Sequence, residues 1–147
     1  SEVKELITNY GMDFRLHSEQ SNSNNFRLVL LDQLGELNGY YSKACVAFVG
    51  GGFNPRFGGH NIIEPASYGL PVVFGKHMNN FEEEARVLIE SGGGIKLNSS
   101  DDLHNTLNHL LANNGERKRL GEKAWGTVVD NRGAVDKTIE LINRLTN

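Results

Sequence analysis

Three short apolar runs that do not alternate with polar residues constrain this chain more than anything else in it: FRLVLLD at 26–32, CVAFVG at 45–50 and PVVFG at 71–75. A strand with one wet face alternates, whereas a strand covered on both faces reads as a continuous apolar run. Between and around these runs the period changes to that of helices. Val3, Leu6, Ile7 and Tyr10 form an i, i+3, i+4, i+7 stripe over 2–10, closed by Gly11. Further helices are predicted over 35–44, 61–68 and 80–92, and over 100–145 with breaks at Asn114-Gly115 and Gly133. Ser99 or Ser100 caps the last of these, with Asp101 and Asp102 at its positive dipole end. Weaker strands are predicted at 14–18 and 94–97. The alternation predicts an α/β fold, a parallel sheet with helices on both faces. Such sheets bind ligands beyond the carboxyl ends of their strands, so the loops after Leu31, Val49 and Phe74 are the places to look.

A length of 147 residues suits one domain. The formal charge of −3 carries no basic stripe of the kind nucleic-acid binding needs. Arg117-Lys118-Arg119 reads as a solvated helix face. A single cysteine, Cys45, excludes an internal disulfide and reads as a buried strand residue. No HxxxH or HxxH pair accompanies it, and neither a metal nor a cofactor is expected. Trp125, Val128 and Val129 are expected on the core face of the final helix. His17, His104 and His109 belong to no constellation and read as surface or edge residues. No apolar run approaches the roughly 20 residues of a membrane span, and no signal peptide is visible. The opening SEVKELITNYG already reads as a helix in mid-domain, so a fragment of a longer protein is expected.

The segment after the second apolar run concentrates the chemistry. Gly50, Gly51 and Gly52 turn the backbone and leave no Cβ atoms in a ligand's way. Arg56 is the one cation of the loop, and Gly58-Gly59 clear space before His60 and Asn61. Asn61 is a good helix N-cap, and the free N–H groups of a first turn attract phosphate or carboxylate. Ile63, Ala66, Ser67 and Leu70 are expected to pack on the sheet, with Asn61, Glu64 and Tyr68 on the other face. A carboxylate there accepts two hydrogen bonds from adjacent hydroxyls, as a ribose presents them. Taken alone, these residues fit either a nucleotide or sugar-phosphate site or a tight surface loop ending in a capping glutamate.

DQLGEL (32–37), YYSKACVAFVGGG (40–52), GGHNIIEPASYGLPVVFG (58–75), HMNNF (77–81) and NRGA (131–134) together resemble the carboxy-terminal half of the 3-deoxy-D-manno-octulosonic acid (Kdo) transferases, in consistent order and spacing. The resemblance implies a Rossmann-like parallel sheet flanked by helices, the C-terminal half of a two-domain GT-B glycosyltransferase. It implies inverting transfer of Kdo from CMP-Kdo to a lipid A precursor in lipopolysaccharide assembly, at the cytoplasmic face of the bacterial inner membrane. The carboxy-terminal half holds the donor. The catalytic base, most acceptor contacts and the membrane attachment belong to an amino-terminal domain, so no catalytic residue is assigned here.

By this resemblance Gly35, Glu36 and Leu37 open a helix on the nucleotide side, and Gly50 and Gly51 are the paired glycines after the strand. His60 and Asn61, after Gly58 and Gly59, approach phosphate and sugar; Glu64 binds ribose; Asn80 and Phe81 line the donor side. Structural roles compete at Glu36 (a helix N-terminus), Asn80 (an N-cap) and Phe81 (the core). The family has Thr where Gln33 stands, Ser at Gly52 and Pro at Lys76, and Phe57 is an extra residue, which leaves Arg56 and Lys76 without a fixed role. The alternatives are a UDP-sugar transferase or epimerase domain, or a non-catalytic nucleotide-binding module. Strands expected upstream of residue 1 leave a sheet edge prone to self-association.

Overall fold

Every strand ladder among the described residues is parallel, as expected, but the strands divide into a two-stranded and a three-stranded sheet. The computed structural model describes residues 2–19 and 27–145. It separates into two units, 1–40 and 41–147.

In the first unit, helix α1 (Glu2–Asn9) ends as the glycine predicted. The Gly11 N–H reaches the Thr8 carbonyl at 2.9 Å and the Met12 N–H reaches that of Ile7 at 3.2 Å, closing the helix in a Schellman motif. Its apolar stripe stays largely uncovered, with Val3, Leu6 and Tyr10 exposed and Ile7 half-buried. Strands β1 (Phe14–Leu16) and β2 (Leu28–Leu30) pair with Leu16 opposite Leu30, each shorter than its apolar run. Helix α2 (Leu37–Tyr41) occupies only the middle of the predicted 35–44. Gly39 within so short a segment gives little helix propensity for extension.

The second unit is built on β3 (Ala47–Val49), β4 (Val72–Gly75) and β5 (Gly94–Leu97), in the order β3-β4-β5. Its helices are α3 (Ile63–Ala66), α4 (Glu82–Ser91), α5 (Asp102–Ala112) and α6 (Asn114–Leu145), with a 3₁₀ turn at Asn79–Phe81. All four residues of the middle strand β4 are buried, which is why its sequence does not alternate. Val72 and Phe74 pack with Ile62, Ala66, Leu88, Ala124 and Val128. Val73, between them, points the other way, to Leu97, Leu110 and Leu120. Each such fully buried side chain contributes about 1.5–3 kcal/mol.

Several expectations need correction. Cys45 is exposed, because β3 begins only at Ala47. Trp125 and Val129 are exposed, and the buried stripe of α6 is Leu120, Gly121, Ala124, Thr127 and Val128. The helix runs through Gly133 without a break; the one interruption is Asn113, between α5 and α6. Arg117 is more than a solvated charge. Its guanidinium donates to the Leu110 and Leu111 carbonyls at 2.5 and 2.6 Å, satisfying the open end of α5.

Candidate functional site

The loops that follow β3 and β4 are joined to one another by hydrogen bonds. The His77 N–H donates to the Gly52 carbonyl (2.8 Å), and the Asn80 N–H to that of Gly58 (3.0 Å). The Asn80 side chain adds a third bond, from Nδ2 to the Phe57 carbonyl at 3.0 Å. Gly52 and Gly75 touch backbone to backbone: a Cβ on Gly52 would lie 2.8 Å from the Gly75 nitrogen. The first loop also closes on itself, with the Gly59 N–H on the Gly51 carbonyl (3.3 Å) and Asn54 Oδ1 taking the Arg56 N–H (2.9 Å). Gly58 and Gly59 have φ of +66° and +80°, a region that side chains disfavour.

His60 is exposed, and its ring lies over Gly51, where a Cβ would stand 3.0 Å from the imidazole. Asn61 turns its side chain back on the segment that follows it. Its Oδ1 accepts from the N–H groups of Ile63 (3.0 Å) and Glu64 (3.3 Å). Two donors of the first turn are thereby taken, and α3 has only four residues. The packing face keeps the expected Ala66 and Leu70 but is completed by Ile62 and Pro65 in place of Ile63 and Ser67. Ile62, Pro65, Ala66 and Leu70 are buried, while Ile63 and Ser67 are half-buried.

Glu64 is half-buried, and its carboxylate makes no hydrogen bond or ion pair among the described residues. Beside it is Tyr41, whose phenol is pushed above its ordinary range first by burial and then by the Glu64 charge. The Tyr41 and Tyr68 rings are 5.7 Å apart at 38°. The sequence set Tyr68 on the face of Glu64, four residues on, but missed Tyr41, which lies 23 residues before that glutamate. Asn80 is a strap across the glycine loop and not an N-cap, and Phe81 is half-buried against the core. Arg56 is exposed. Lys76 opens on a groove of about 550 Å³ shared with Met78, Arg86, Glu90 and Lys96, to which neither His60 nor Glu64 contributes. Gly50 and Gly51 are half-buried at the end of β3.

Gly35, Glu36 and Leu37 belong to the first unit, where all three are exposed. Glu36 has a partner that the sequence did not announce: His17 Nε2 is 3.4 Å from its Oε2. The rule about strand-end loops would have found this histidine, which directly follows β1. Nearby, Asp32 accepts the Ser18 N–H (3.0 Å) and the Ser18 hydroxyl (2.5 Å), and the hydroxyl is the main reason its carboxyl lies below the usual range. Among the described residues no group of three His, Cys, Asp or Glu side chains is placed to hold a metal ion, and no helix is long and apolar enough to cross a membrane.

Parallel strands roofed by helices, with paired glycines after β3, define a Rossmann-like α/β protein. Comparison with known proteins narrows the class. The chain is a homologue of the 3-deoxy-D-manno-octulosonic acid transferases, which are glycosyltransferases. It is 36% identical to that of Haemophilus influenzae over 142 residues, 95% of this chain and 33% of the relative. It is 31% identical to that of Chlamydia pneumoniae over 93% of this chain and 31% of the relative. The chain thus spans about a third of the length of these relatives. The crystal structure of the C-terminal CMP-Kdo binding domain of WaaA from Acinetobacter baumannii matches with a TM-score of 0.80 at 28% identity, over 86% of this chain and 66% of that one. No family model matches the chain.

Proposed function

We propose that this chain is the donor-binding part of an inverting Kdo transferase of GT-B architecture and takes CMP-Kdo. The observation that carries the proposal is the Glu64 carboxylate, half-buried and without a hydrogen bond or ion pair among the described residues, four residues beyond His60. A part-desolvated carboxylate without a partner is costly unless a ligand supplies donors. Vicinal ribose hydroxyls do so, and the neighbouring Tyr41 and Tyr68 rings offer an apolar wall. His60 donates to the phosphate of the departing CMP. Gly50, Gly51, Gly58 and Gly59 admit the ligand close to the backbone, and Asn80 holds that loop in place. Phe81 braces the same segment from the core side.

In the whole enzyme, an amino-terminal domain contributes the base, the lipid A precursor site and the attachment to the cytoplasmic face of the inner membrane. Positioning and stabilisation of developing negative charge then carry much of the rate. The chain alone binds CMP weakly and transfers nothing. Calorimetric titration tests this reading: CMP binds in preference to UMP and UDP, and Glu64→Ala weakens CMP about tenfold or more, the scale of hydrogen bonds to a charged group. Equal binding of CMP by parent and Glu64→Ala would remove the ribose assignment, and a preference for UDP would point to a UDP-sugar enzyme.

A further inference from the structure

Within the second unit, the turn that ends α3 and the long helix α6 meet with no side chain between them. A Cβ on Gly121 would collide with the Gly69 carbonyl, and one on Gly69 would lie 4.0 Å from the Trp125 Cβ. Gly69 has a φ of +68°, the left-handed conformation that closes a helical turn. The large neighbours of these glycines cannot bury themselves in so close a contact. Tyr68 is 41% exposed and Trp125 54%. Both rings line an open cleft of about 430 Å³, together with Gly69, Lys118, Gly121 and Glu122. Residues 118, 121, 122 and 125 follow the i, i+3, i+4, i+7 spacing of one helical face.

Two opposite charges share the cleft, and neither is engaged. Lys118 and Glu122 make no hydrogen bond or ion pair among the described residues. Their neighbours on the same helix do, Arg119 with Glu116 and Arg117 with the carbonyls that end α5. This pair decides what the cleft accepts. A cation drawn to the aromatic faces is opposed by the Lys118 ammonium, and an anion by the Glu122 carboxylate. A wholly apolar ligand strips water from both charges and returns nothing. A neutral polyhydroxylated ring suits all four side chains. Its C–H face, slightly positive, lies against the negative faces of the aromatic rings. Its hydroxyls accept from the ammonium and donate to the carboxylate. The volume falls in the range of small-molecule sites.

We infer that the cleft between α3 and α6 is a binding site for a neutral saccharide, separate from the donor site around Glu64. Neither His60 nor Glu64 lines it; Tyr68 is common to the two, so the test leaves that residue unaltered. Trp125 is the only tryptophan of the chain, and its fluorescence therefore reports on the cleft directly. Maltose and lactose are titrated into the parent chain, with choline and inorganic phosphate as the competing ligand classes. Either disaccharide should shift the Trp125 emission saturably, with a Kd on the order of 1 mM, while choline and phosphate leave it unchanged. Glu122→Gln and Lys118→Met should each weaken that binding roughly three- to tenfold, the scale of part-exposed hydrogen bonds to a charged group. In Trp125→Ala, saturation-transfer NMR on the sugar protons should show binding lost, while calorimetry finds CMP bound as in the parent.

No emission change and no saturation transfer with either disaccharide through about 100 mM, a hundredfold above the expected constant, overturns the inference. A response to choline or phosphate alone overturns it as well, because the ligand class is then wrong. Saccharide binding undiminished in Trp125→Ala and Glu122→Gln places the sugar elsewhere and has the same effect. A Trp125→Ala protein that loses CMP together with the saccharide removes the separation between the sites. The saccharide titration does not depend on CMP binding at Glu64, so either reading can fail alone.

Discussion

The phenol of Tyr41 is held protonated by burial and, secondarily, by the charge of Glu64. A raised folded-state value has a defined consequence for stability. The contribution is complete below the ordinary tyrosine range near pH 10 and is lost as pH rises through the higher folded value. Spectrophotometric titration should find the Tyr41 phenol ionising above the ordinary tyrosine range. In Glu64→Gln the delay shrinks but persists, since burial is its larger cause. Asp32 has the opposite sign. Its lowered value favours the fold above the ordinary carboxyl range and loses that benefit on acidification, and Ser18→Ala should bring its ¹³C-detected titration back toward the ordinary range. Asn61→Ala removes the acceptor for two N–H groups and should cost about 1 kcal/mol in denaturant unfolding. At this scale the sequence was a fair guide to which residues matter and a poorer one to what each touches. GGHNIIEP marked the segment, but whether Asn61 turned outward or back on its own helix depended on a side-chain torsion with no imprint in residue order. His17 was passed over for a similar reason, as its partners Glu36 and Tyr40 lie 19 and 23 residues away.

Among the elements, β5 lies at its predicted 94–97, and every helix of the pattern is present. The orientation of α6 was the main error. Of the three residues assigned to the core, Val128 is buried but Trp125 and Val129 are not, and the closest packing of this helix is made at its small residues Gly121 and Ala124. A Cβ on Gly93 would come within 2.5 Å of the Ala124 Cα, and one on Gly121 would collide with the Gly69 carbonyl. Backbones approach that closely only where side chains are minimal, so hydrophobicity alone points to the wrong stripe. Gly93→Ala and Gly121→Ala should each destabilise by about 1–3 kcal/mol, the usual cost of overpacking, measured as a lower denaturant midpoint. Trp125→Ala should cost far less, because its side chain is mostly exposed.

For the molecule as a whole, parallel pairing was legible from run length and period, and two-sided cover holds along β4, whereas β3 leaves Phe48 exposed. Division of the strands into two sheets was not legible, since short apolar runs do not say which neighbour each will choose. Within the three-stranded sheet, β3 is an outer strand carrying the exposed Phe48, stacked on Phe53 at 5.9 Å, whereas the outer β5 presents Lys96. Charged side chains on outer strands discourage pairing between molecules, and aromatic ones do not. Sedimentation velocity should therefore show concentration-dependent self-association of this chain, reduced by Phe48→Lys. A single monomeric species at all concentrations would contradict that expectation.

The hydrogen bonds that tie Gly52 to His77 and Phe57 and Gly58 to Asn80 also bear on how this region can be exchanged between homologues. The 50–61 segment closes only partly on itself, and hydrogen bonds from 77 and 80 complete it. A chimera that imports 50–61 without 75–81 inherits a mismatched seam, whereas one that transplants both as a single cassette keeps its architecture. Variation in this part of the molecule is therefore expected to travel in pairs.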